Sequence, residues 1–122
     1  MTEIKIKRAY ETPDATDGYR ILVDRLWPRG LTHERLDCKY WAKDIAPSTE
    51  LREWFHGDAA NRWTEFVVKY KNELRKNPDF ENFLKTVKSY PVVTFVFASK
   101  DVNHNEASVL QNLCNELING TH

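Results

Sequence analysis

Arg20-Ile21-Leu22-Val23-Asp24-Arg25 carries three consecutive apolar residues between charged ends. A strand with one wet face alternates apolar and polar residues. An unbroken apolar run marks a strand covered on both faces, as in a parallel sheet. Val92-Val93-Thr94-Phe95-Val96-Phe97-Ala98 is a second such segment, and its β-branched and aromatic content makes it a central strand. Helical patterns lie between the two and after the second. The order strand, helices, strand, helix lets the two central strands run parallel through a right-handed crossover. The expected fold is α/β: a small three-layer domain with a short, mainly parallel central sheet flanked by helices.

The flanking segments extend this frame. Glu3 to Ala9 reads as an edge strand in which Ile4 and Ile6 alternate with Lys5 and Lys7, so the lysine face is expected to be wet. Residues 10–19 hold Pro13 and Asp17-Gly18 and are too short for a crossover helix, which leaves the direction of the first strand open. Thr32 caps one short helical turn, and 38–47 is read as irregular, with Tyr40 and Trp41 packing inward. Ser48-Thr49-Glu50 opens a helix with Leu51, Trp54 and Phe55 as its stripe, ending near His56-Gly57. Asp58 is expected to cap the longest helix, Ala59 to about Asn77, whose Trp63, Phe66, Val67, Tyr70 and Leu74 share one face. Pro78 breaks it. A further helix from Asp79 buries Phe80, Phe83, Leu84 and Val87 and stops at Pro91. The last helix starts within 101–105 and runs to Asn119, with Ala107, Leu110, Leu113, Cys114 and Leu117 inward and Gly120 as its stop.

The 122 residues fit one domain, and a hydrophobic fraction of 41% with 4 Trp, 5 Tyr and 6 Phe supplies a core and excludes intrinsic disorder. Lys plus Arg and Asp plus Glu both number 18, and neither half of the chain is a polycation. This balance argues against sequence-independent nucleic-acid binding, although a local cluster can still hold an anion. Cys38 and Cys114 have no ligand-like spacing, which argues against zinc and makes both packing residues. The first residues form no apolar leader, and no run approaches the roughly 18 apolar residues of a membrane span. A cytoplasmic protein with no membrane partner is expected, and the Asn119-Gly120-Thr121 sequon then has no meaning. The sequence indicates no cofactor and no oligomeric state.

Ligands of open α/β sheets sit beyond the carboxyl ends of the strands, where helix N-termini point inward. Two polar segments fall there. One is Asp24-Arg25-Leu26-Trp27-Pro28-Arg29-Gly30, with two guanidiniums around an aromatic ring and a proline; the other is Ser99-Lys100-Asp101-Val102-Asn103-His104-Asn105. Lys43-Asp44-Ile45-Ala46-Pro47-Ser48 feeds a further helix start, whose N–H groups and Ser48 hydroxyl suit an anion. The candidate ligand-binding set is therefore Arg25, Arg29, Lys43, Ser48, Lys100, Asp101, His104 and Asn105, for a small phosphate- or carboxylate-bearing ligand. Each residue also has a plain structural role open to it: ion pairs of Arg25 or Arg29 with Asp24 or Asp44, a solvated Lys43-Asp44 turn, Ser48 as a cap, His104 as a loop hydrogen-bonder. Parallel neighbouring strands predict Arg25 or Arg29 close to Asp101 or His104, with Asp101 available as a partner or a general base.

Gly18-Tyr19-Arg20-Ile21-Leu22-Val23-Asp24-Arg25-Leu26-Trp27-Pro28-Arg29-Gly30, then Trp41-Ala42-Lys43-Asp44-Ile45-Ala46-Pro47-Ser48 through Trp54-Phe55, then Ala98-Ser99-Lys100-Asp101 and His104-Asn105, closely resemble the DUF488 (YeaO-like) family of small bacterial proteins. The resemblance covers nearly the whole chain and implies a compact α/β domain of unassigned activity, with no catalytic residues to carry over. A transcription-regulator role, ascribed to some members, has no helix-turn-helix here to support it. Two departures stand out. His56-Gly57-Asp58 replaces the family's Gly-His-Asp, which puts a role for His56 in doubt. His104-Asn105-Glu106-Ala107 replaces His-Asn-His-Ala, which disfavours a paired-histidine metal site. Two functions stand: an anion-binding protein with or without hydrolase or transferase chemistry, and a non-catalytic regulatory or nucleic-acid-associated module.

Overall fold

The computed structural model describes residues 1–120, so Thr121 of the sequon lies outside the described residues. Four strands form one all-parallel sheet in the order β1-β4-β2-β3: β1 is Glu3–Arg8, β2 Tyr19–Leu22, β3 Tyr40–Trp41 and β4 Val92–Phe97. The helices are α1 (His33–Leu36), α2 (Thr49–Gly57), α3 (Ala59–Lys76), α4 (Phe80–Lys88) and α5 (Glu106–Cys114), the last continued by a π turn over Asn115–Asn119. β4 and β2 are the inner strands, as their unbroken apolar runs require. Among the described residues no helix is long and apolar enough to cross a membrane.

Residues on one side of the sheet, Ile4, Ile21, Val23, Val93, Phe95 and Phe97, pack against α2 to α5 in the main core. The third layer is thinner. Ala9, Leu22 and Val96 meet Leu36 of α1, with Trp27, Leu31, Cys38 and Trp41 around them. Thr32 caps α1 by accepting from Arg35 N–H at 3.1 Å. On α3 the buried residues are Phe66, Tyr70 and Leu74, one helical face of the expected stripe.

The structure settles the open direction of the first strand and corrects several expectations. β1 is parallel to β4, and the segment 9–18 returns across the sheet without a helix, through a single 3-10 turn at Ala15–Asp17. That return covers the lysine face expected to be wet: Lys5 Nζ donates to Thr16 O at 2.8 Å and Lys7 pairs with Asp17 at 3.2 Å. The chain can turn back tightly because Gly18 takes φ 66°, where a Cβ would overlap the Val92 carbonyl. Tyr40–Trp41, expected in an irregular stretch, pairs with Ile21 and Leu22 as a two-residue strand too short for any periodic signal. Asp58 makes no capping bond to α3; its carboxylate accepts from Asn61 Nδ2 instead. Leu117 is 54% exposed, not inward, because the π turn retards the helix register and brings Ile118 onto the core in its place.

Candidate functional site

β2 and β4 end side by side, and their exits, with the later turns of α2 and the start of α5, surround a cleft of about 560 Å³. Trp27, Pro28, Pro47, Phe55 and Phe66 give it apolar walls. Its rim loops are braced: Trp27 Nε1 donates to Leu31 O at 2.7 Å, Tyr10 OH to Arg29 O at 3.0 Å and Arg8 Nε to Ser99 O at 2.9 Å.

Six of the eight candidate residues line this cleft: Arg25, Arg29, Lys100, Asp101, His104 and Asn105. Both exit segments therefore leave the same edge of the sheet. Neither arginine pairs with Asp24, Asp44 or Asp101 among the described residues. Arg25 donates instead to the Pro47 and Ala46 carbonyls, each at 3.2 Å, and so ties the 43–48 loop to the end of β2. Arg29 and Lys100 are exposed, and among the described residues their charged groups make no hydrogen bond or ion pair. Asp101 closes its own loop. Its Oδ1 accepts from the N–H groups of His104 at 2.9 Å and Asn103 at 3.0 Å, and Oδ2 lies 3.2 Å from His104 Nδ1. The two backbone N–H groups hold its carboxyl below the ordinary range, which makes it a poor general base. The His104 ring stands edge-on to Trp63 at 4.9 Å, and among the described residues no hydroxyl or thiol hydrogen-bonds to it. Asn105 is 2% exposed and caps α5, its Oδ1 accepting from Ser108 N–H at 3.0 Å.

Lys43 and Ser48 lie outside the cleft. Lys43 Nζ sits over the Trp41 ring at 4.9 Å. The α2 start is already filled from within the chain: Glu73 accepts from Ser48 N–H at 2.9 Å and Ser48 Oγ at 2.5 Å, taking the place of an external anion. Cys38 and Cys114 are free thiols raised by burial to about 11 and about 12, so both stay protonated.

The cleft also holds groups the sequence reading left unassigned: Asp24 beyond the end of β2, Glu106 at the first position of α5 and Arg52 in α2. Asp24 Oδ2 accepts from Ala98 N–H at 2.9 Å, which fixes its carboxyl between the two exits. Oδ1 and Arg52 Nε are buried without a hydrogen-bond partner among the described residues. Glu106 reaches Asp24, and its carboxyl is held well above the ordinary range by burial first, then by the hydrogen bond to Asp24 and that residue's charge. The available signal was positional, since Asp24 follows a parallel strand and Glu106 opens a helix. Their pairing depends on the tertiary fold. His56, doubted for its shifted motif, also lines the cleft. Among the described residues no three His, Cys, Asp or Glu side chains gather as a metal site would need.

A family model described as "Inactive DUF488-N3 subclade" matches residues 3–122. An uncharacterised protein of Mycobacterium tuberculosis is 40% identical over 114 residues, 93% of this chain and 95% of its own. The uncharacterised Escherichia coli protein YeaO is 39% identical over 107 residues, 88% of this chain and 92% of its own. No solved structure matches the chain.

Proposed function

From the premise that this chain belongs to the DUF488 (YeaO-like) family, we propose that its cleft binds a small ligand bearing a phosphate or carboxylate, and binds it without turnover. The observation that carries this reading is a cleft of about 560 Å³ at the carboxyl ends of β2 and β4 with Arg29 and Lys100 unengaged at its rim. Arg25 is committed to backbone carbonyls, so the anion falls to these two cations. The aromatic and proline walls take the ligand's body. Two things favour binding over catalysis: the matching subclade is described as inactive, and among the described residues no hydroxyl lining the cleft donates a hydrogen bond to a histidine or carboxylate. Free thiols at Cys38 and Cys114 fit a reducing, cytoplasmic setting.

A thermal-shift screen of the full chain against nucleotides, sugar phosphates and dicarboxylates tests the reading. A ligand at about a hundredfold its Kd stabilises the native state by about 2.7 kcal/mol, a clear rise in Tm. Arg29→Ala and Lys100→Ala are expected to abolish that rise while leaving the unliganded Tm unchanged. Failure of every anion to stabilise the protein, together with salt-sensitive binding of unrelated nucleic acids, would replace this reading with that of an interaction module.

A further inference from the structure

The floor of the cleft is charged in a way that the rim is not. Asp24 Oδ1 is buried and among the described residues meets no N–H or O–H donor, and the carboxyl facing Asp24 is that of Glu106. Two interacting carboxyl groups in a buried site do not both ionise, and a proton between them supplies the donor that Oδ1 lacks. The surroundings do not undo this. Arg52 on α2 and the Glu106 backbone N–H favour ionisation but are outweighed by burial and by Asp24. Tyr70 on α3 faces the pair as a neutral phenol, raised well above its ordinary value by burial and nearby carboxyls, with its hydroxyl given to Ile45 O at 2.7 Å. Arg25 is committed to its two carbonyls, Asp101 and His104 are paired with each other, and His56 and Lys100 stand exposed on the cleft's lining. One proton on the acid pair leaves it with one negative charge, which the Arg52 guanidinium balances.

We propose that Asp24 and Glu106 share one proton and form, with Arg52, a hydrogen-bonding site of zero net charge that takes an uncharged polar group of the ligand, such as a carboxamide or hydroxyl. This rests on the reading of the cleft as an anion site and specifies the opposite end of the same ligand: the anion at Arg29 and Lys100, a neutral donor–acceptor group at the floor. A carboxamide suits the floor because it donates to a carboxyl and accepts from a guanidinium. A second carboxylate there meets the negative pair.

Three aryl carboxylate probes separate the possibilities: benzoate and its para-substituted relatives 4-carbamoylbenzoate and terephthalate, titrated into the full chain near pH 7 and followed by NMR. We expect 4-carbamoylbenzoate to bind about tenfold more tightly than terephthalate, the effect of one well-made against one opposed charged hydrogen bond. In the double variant Asp24→Asn, Glu106→Gln, which leaves Arg52 unbalanced, the preference should reverse. A carbon-detected carboxyl titration of the wild type should show Glu106 keeping its proton to a higher pH than a free glutamate, and this arm needs no variant to fold. Equal binding of the three probes, or a Glu106 carboxyl that ionises like a free one, would overturn the inference while leaving the anion reading intact. Failure of all three to bind would overturn the inference, and stabilisation by no anion in the thermal-shift screen would overturn the anion reading with it.

Discussion

The two ends of strand β2 carry buried charge in opposite ways. At its N-terminal end Arg20, 3% exposed, pairs with Asp17 at 2.7 Å and donates from Nε and Nη2 to Leu36 O at 3.2 and 2.7 Å. Asp17 also accepts from Lys7 at 3.2 Å and Asp14 N–H at 3.0 Å, and its carbonyl accepts from Thr94 Oγ1 at 2.7 Å. At the C-terminal end Asp24 Oδ1 and Arg52 Nε are buried without partners and face a cleft. A closed network fixes the crossover loop to the sheet and has no chemistry left over. An open one keeps hydrogen-bonding capacity for something that is not part of the chain.

Breaking the closed end should have the largest effect. Asp17→Ala leaves Arg20 buried without its anion, and we expect a loss of about 3 to 5 kcal/mol in urea unfolding. A loss below about 1 kcal/mol would mean that water replaces the carboxylate and that the two ends do not differ in kind. Phe66→Ala removes an aromatic ring shared by the core and the cleft wall and should cost roughly 3 to 5 kcal/mol. Gly18→Ala, at a positive φ with the Val92 carbonyl in the way, is expected to cost about 1 to 3 kcal/mol and to loosen the crossover over Lys5 and Lys7. Arg29→Ala sharpens the comparison from the open side. Stability should change by less than about 0.5 kcal/mol while binding of an anionic ligand is lost; intact binding with a lowered Tm would make Arg29 part of the scaffold.

Much of the fold is legible in the sequence because it is written locally. The apolar runs of β2 and β4 and the face of α3 bearing Phe66, Tyr70 and Leu74 each declare their burial within a few residues. What escaped depends on distant partners. Lys5 and Lys7 look solvent-facing until the loop 9–18 lies across them, and the Ser48 helix start looks vacant until Glu73 of α3 fills it. The cleft's edge followed from topology, so most of its rim was legible: Arg29 and Lys100 stand where strand exits place them. Its floor was not, since no local pattern joins Asp24, two residues beyond β2, to the first residue of α5. Arg25 shows the converse, a strand-exit cation whose geometry is spent on carbonyls.

The contrast between the ends has a sign that pH can read. Burial raises Asp17, but the Asp14 N–H, Lys7 and Arg20 outweigh it, so its carboxyl is lowered; its contribution is present above the unfolded value and lost as pH falls through the folded one. Glu106 is raised, so its folded form holds a proton that the unfolded chain releases, and stability falls as pH rises above the ordinary glutamate value of about 4.3 toward the folded one. The most direct test is urea unfolding of the wild type, Asp17→Asn and Glu106→Gln at steps from about pH 2 to pH 8. The account predicts that Glu106→Gln gains on the wild type as pH rises, while the deficit of Asp17→Asn shrinks as pH falls. A Glu106→Gln profile parallel to the wild type throughout would contradict it, because the open end of β2 would then hold no proton.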